Sequence, residues 1–159
     1  MPRVLRCNRI PVSPLRLLRL ASLASALAWF SDVAAYGVVS VNQPWTKPGV
    51  RASEAYMIVT SSESATLIGA RSPVAGRVEL KSASRLASAL ALPAGTPVIL
   101  RPKGNHLALS RLTRALKLGD RVSLVLIIET ATGTRQEIVV DAEVRRESPA
   151  DAELRAHRH

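Results

Sequence analysis

A chain of 159 residues supports one domain with a real core, and its 47% hydrophobic residues exclude whole-chain disorder. Aromatics make up only 3%, so the core must be built from Val, Leu, Ile and Ala, a supply that suits a sheet. The formal charge of +10 favours anionic surfaces or acidic partners without implying nucleic acid, because beyond residue 35 the only aromatics are Tyr36, Trp45 and Tyr56 and none interleaves a basic cluster as a stacking platform would.

Residues 1–19 carry Arg3, Arg6, Arg9, Arg16 and Arg19, and the apolar stretch Leu20 to Phe30 follows. Ser31-Asp32-Val33-Ala34-Ala35 then places small residues for cleavage after Ala35. This order of basic, apolar and small residues predicts a secretory signal peptide over 1–35 and a periplasmic location. The apolar run falls short of the ~20 residues of a spanning helix, so no membrane span is expected after cleavage. Five arginines and one aspartate leave with that segment, and the remaining 17 basic and 11 acidic residues give a net +6. Cys7, the only cysteine, leaves with it too, so the mature domain has no disulfide, thiolate ligand or cysteine nucleophile.

From residue 36 to 145 the chain breaks into short apolar runs divided by turn residues. The predicted strands, in order, are Tyr36–Val41, Glu54–Thr60, Ala65–Ala70, Val74–Lys81, Pro97–Arg101, His106–Ser110, Arg121–Thr130 and Arg135–Arg145. Asn42-Gln43-Pro44, Pro93-Ala94-Gly95 and Pro102-Lys103-Gly104-Asn105 are the punctuation. The last pair is the clearest: Val122, Leu124, Leu126 and Ile128 alternate on one strand, Ile138, Val140, Ala142 and Val144 on the next, with Ala131–Thr134 as the loop. Ser84–Leu92 spaces its Leu and Ala residues for a short helix or an irregular crossing, and Leu112–Leu118 resembles a helical turn stopped by Gly119. Residues 146–159 form a polar C-terminal tail, expected to be mobile. Many short strands at regular spacing predict an all-β, antiparallel sandwich or barrel.

Several segments stand out together: the Ala55-Tyr56 pair, Ser72-Pro73-Val74-Ala75-Gly76-Arg77-Val78-Glu79-Leu80, Leu92-Pro93-Ala94-Gly95, and Leu100-Arg101-Pro102-Lys103-Gly104-Asn105-His106-Leu107, followed by Leu112 to Asp120 and the last hairpin. In this order and spacing they resemble the PCu(A)C family of periplasmic copper chaperones. The resemblance implies a cupredoxin-like antiparallel β-sandwich with Greek-key character. It also implies a copper(I) site of two histidines and two methionines, since soft thioethers with imidazoles hold copper(I) and still release it. One histidine is expected after the Val-Glu-Leu segment, a methionine in the loop beyond it, and a His-x-Met on a later strand.

This sequence departs from that set. Lys81 stands where the first histidine is expected, no methionine lies between Lys81 and Pro93, and the His-x-Met element reads His106-Leu107-Ala108. His106 is therefore the one retained ligand and the candidate metal residue of the domain, with His157 and His159 of the tail as further candidates. Lys81, His106 and Ala108 are expected at one rim of the sheets. Met57, inside an apolar run, reads as core. One histidine in the domain and no cysteine leave no nucleophile apparatus, so no catalytic residue and no enzyme activity are expected. The resemblance implies a copper-chaperone-like protein, with copper as cargo and a cuproprotein or respiratory oxidase as partner. The ligand losses favour the alternative, a metal-free exported binding or scaffold module on the same fold.

Overall fold

The structure is a computed structural model and describes residues 38–157. The expected signal segment 1–35 and His159 lie outside the described residues. Ten strands and one helix follow in order: β1 (Val39–Thr46), β2 (Ala52–Ser61), β3 (Ala65–Arg71), β4 (Ala75–Ser82), β5 (Arg85–Leu86), β6 (Leu90–Leu92), β7 (Val98–Leu100), β8 (Asn105–Leu112), β9 (Arg121–Thr130), β10 (Arg135–Val144) and α1 (Pro149–Ala156). Their sheet order is β5-β4-β8-β2-β1-β10-β9-β3-β6, with β7 also paired to β2. The sheet curls until Ser61, ending β2, bridges Ala94 just beyond β6, which makes a sandwich-like half-barrel around one core.

The alternation read from the last two strands is the backbone of that core. Val122, Leu124, Leu126 and Ile128 are fully buried, and Val140, Ala142 and Val144 meet them from β10. Leu67 and Leu92 extend it along β3 and β6, and Leu80, Leu107 and Leu109 close it from β4 and β8. Each such side chain contributes about 1.5–3 kcal/mol on burial, and Met57 belongs to the same cluster.

Four stretches differ from the sequence reading. β1 does not stop at Asn42-Gln43-Pro44 but bulges there, with Gln43 at φ 49°, and resumes to pair Trp45 with Tyr56. Beyond the bulge its end lies parallel to β10, Trp45 opposite Glu143 and Thr46 opposite Val144, so the sandwich is not antiparallel throughout. Ser84–Leu92 is not a helix: a turn at Ala83 (φ 53°) sends the chain back along β4, and Leu90–Leu92 then joins β3. Over so short a run, edge strands and one helical turn share the same apolar spacing.

Leu112–Leu118 is not helical either. It is pinned by a two-way bridge between Gly49 and Leu116, the Leu116 N–H donating to the Gly49 carbonyl at 2.8 Å and the Leu116 carbonyl accepting from the Gly49 N–H at 3.2 Å. Burial of Leu116 outweighs local helix preference there. In the tail, Ser148 caps α1 by accepting from the Asp151 N–H at 3.1 Å, with Pro149 opening the first turn. No residue of α1 is buried.

Candidate functional site

β2 has one unusual neighbour. Its second half pairs with β7, Met57 opposite Leu100, and its first half with β8, Ala55 opposite Leu107. Both partners run the same way along the same edge, so they form one strand interrupted opposite Tyr56. The chain leaves the sheet at Arg101 and re-enters at His106, an extended relative of the bulges that re-aim side chains beside functional sites. The Arg101 N–H donates to the Asn105 carbonyl at 2.7 Å, and Lys103 turns the loop at φ 65°. The Gly104 carbonyl accepts from the Ala83 N–H at 2.9 Å and from His106 Nδ1 at 2.9 Å, tying the β4–β5 turn, the loop and the imidazole together.

Antiparallel residues directly opposite one another share a face. Lys81 is opposite His106, and Ala108 lies between Glu79 of β4 and Glu54 of β2. The three residues expected at one rim therefore share it, on the face turned away from Leu80, Leu107 and Leu109. The imidazole is buried, its side chain 8% exposed. Because Nδ1 donates to Gly104, Nε2 is the nitrogen left facing the site, 3.8 Å from Glu54 Oε1.

Sequence reading missed the groups around it. Glu54 Oε2 accepts from Lys47 Nζ at 2.8 Å and from the Tyr56 hydroxyl. The Lys47 ammonium also stands 5.3 Å from the centre of the Tyr56 ring. Trp45 packs against Tyr56 with centroids 4.5 Å apart, and the Tyr56 and His106 rings are 6.2 Å apart. Hydrogen bonds from Lys47 and then Tyr56 hold the Glu54 carboxyl below the usual carboxylate range. The Glu54 bond raises Lys47 above the usual lysine value. Burial, then the bond to Glu54, pushes the Tyr56 phenol up to about 12. Glu54 and Tyr56, two apart on a strand, were the available signal, since such residues point to one face.

Lys47, Glu54 and His106, with Lys81, Ser84 and Lys103, line a concavity of about 560 Å³. The donor set does not fit copper(I). It offers one imidazole and no thioether, its carboxylate is a hard ligand already engaged by an ammonium, and Lys81 presents a cation opposite the imidazole. Among the described residues no group of three His, Cys, Asp or Glu side chains is placed to hold a metal ion. His157, at the C-cap of α1, is exposed and belongs to no such group.

Comparison with known proteins agrees with the fold. No curated protein matches the sequence. Among solved structures, the apo PCuAC domain from PmoF1 aligns with TM-score 0.60 and 20% identity, over 70% of this chain and 100% of that one. The copper-bound PCuAC domain from PmoF2 aligns with TM-score 0.60 and 22% identity, over 70% and 99%. The copper(I) form of DR1885 from Deinococcus radiodurans aligns with TM-score 0.55 and 24% identity, over 72% and 84%. The family model described as "Putative lipoprotein LpqE-like" matches residues 38–144, the whole of the strand-built domain. The chain belongs to that LpqE-like family, and its fold is the one the PCuAC domains share.

Proposed function

We propose that this chain is an exported, non-catalytic binding module on the copper-chaperone fold, whose metal-carrying rim has become a metal-free polar pocket. The observation that carries the reading is the direct pairing of Lys81 with His106. An ammonium across the strand from an imidazole disfavours any cation between them, at several times the cost it would have in open water. The lipoprotein description of the family supports export, and the basic, apolar and small order of residues 1–35 supports cleavage after Ala35. Intact mass of periplasmic protein tests that part: a chain still beginning at Met1 in the cytosol contradicts it.

A second reading, copper carriage to a cuproprotein such as a respiratory oxidase, is favoured by the fold shared with copper-bound domains and by Nε2 of His106 facing the pocket. Its site would be His106, with Glu54 or the tail residues His157 and His159. Such oxygen and nitrogen donors suit copper(II) better than copper(I).

The two readings part on restoration. Lys81→His with Ala108→Met returns two of the missing donors beside His106. On the metal-free reading, copper(I) affinity rises by orders of magnitude in the double variant. Equal, tight copper(I) affinity in the unmodified and the double-variant protein would overturn that reading.

A further inference from the structure

The pocket that fails as a cation site has the opposite complement of charge. Three lysines, Lys47, Lys81 and Lys103, line it against one acidic residue, Glu54. Lys47 is committed to Glu54 at 2.8 Å, whereas Lys81 and Lys103 have no acidic partner among the described residues. We propose that this concavity is an anion site, taking a compact oxyanion of the phosphate class between the ammoniums of Lys81 and Lys103. The inference rests on the metal-free reading of the same rim and names what replaces the metal.

The frame around the pocket is built rather than incidental. Ala83 and Lys103 sit at φ 53° and 65°, left-handed backbone that non-glycine residues seldom adopt. The two turns they make are joined by the hydrogen bond from the Ala83 N–H to the Gly104 carbonyl. That bond joins the turn that carries Lys103 to the one before Ser84, and both residues line the same concavity as Lys81. Lys81 is held at its base by the register with His106 and Leu86. Ammoniums gathered over one concavity repel each other until an anion joins them, and a cleft of one sign concentrates ions of the other. The Ser84 hydroxyl, also on the wall, adds a neutral donor. The Glu54 carboxylate would repel an oxyanion, but Lys47 and the Tyr56 hydroxyl already occupy its Oε2.

The experiment is a titration of inorganic phosphate into the full chain at constant ionic strength, with chloride as the counter-titration, followed by amide NMR. The expected result is saturable, phosphate-selective shifts at Lys81, Ser84, Lys103 and Gly104. Affinity should fall about tenfold in Lys81→Ala and in Lys103→Ala, the effect of losing one charge-assisted hydrogen bond, and stay unchanged in Lys117→Ala. An identical response to chloride, or an equal loss in Lys117→Ala, would overturn the site. Phosphatidylglycerol vesicles that displace bound phosphate would identify a lipid headgroup as the source, and vesicles that do not would identify a free anion. Copper(I) binding is read on the same sample. Absence of phosphate selectivity sinks only the anion site, while tight copper(I) binding sinks the metal-free reading beneath it.

Discussion

Lys81 and His106 face each other across the β4–β8 ladder, so the position expected to supply one imidazole supplies an ammonium to the other. A register with Lys81 and His106 on opposite sides of the domain would have made the substitution a surface change. In the register observed, it adds a positive charge at the rim beside the imidazole.

Below Tyr56, the ion pair of Glu54 and Lys47 makes stability depend on pH at both ends. Glu54 titrates below its unfolded value near 4.3, so its contribution is complete above that value and is lost as pH falls through the lower folded one. Tyr56 and Lys47 are raised, so theirs is complete below about pH 10 and is lost as pH rises, for Tyr56 through about 12. Both charged groups are 41% exposed, which keeps the pair near the ordinary surface value of about 0–1 kcal/mol. Urea unfolding should show Glu54→Gln less stable than the parent by a constant margin between about pH 6 and 9, closing below about pH 4. Tyr56→Phe should flatten the alkaline limb. A margin that widens on acidification contradicts the assignment.

Thr46 is fully buried and its hydroxyl has no hydrogen-bond partner among the described residues. An isosteric Thr46→Val replacement removes a desolvated oxygen without opening a cavity. Its unfolding free energy should rise by up to about 1 kcal/mol. A loss of that size instead would mean the hydroxyl is satisfied.

Gly49 lies where a Cβ would sit 2.0 Å from the Ala52 carbonyl oxygen. Gly49→Ala must therefore displace backbone next to the bridge to Leu116, at a cost of about 2–3 kcal/mol. Gly133, at φ 81° with open space around it, should cost only about 1 kcal/mol as Gly133→Ala. Chemical denaturation of the two variants checks the order, and a reversed order would show that the approach at Gly49 relaxes freely.

Much of the fold was legible because alternation along β9 and β10 has one solution once half the residues must be buried, and the rim of Lys81, His106 and Ala108 followed from strand period together with the family resemblance, which set two separate strands side by side. The interruption of β7 and β8 was not. Pro102-Lys103-Gly104-Asn105 reads as a turn between strands, and the same residues serve a hairpin or an excursion from one continuous edge. The choice depends on which strand lies alongside, here β2, and that is a long-range fact. Glu54 and Tyr56 were overlooked because Ala55, Met57 and Val59 made β2 read as wholly apolar, although Glu54 and Tyr56 belong to its other face. Lys47 reaches that face only because β1 bulges through Pro44.

The most direct test of a copper-free rim is a chelator competition for copper(I), run on the mature protein, on a form truncated after Arg155, and on His106→Ala. The ligand chemistry predicts that all three lose copper(I) to the chelator alike, with any retained copper being copper(II) held by imidazoles and weakened by truncation. Tight, stoichiometric copper(I) binding that survives the truncation and disappears in His106→Ala would contradict it.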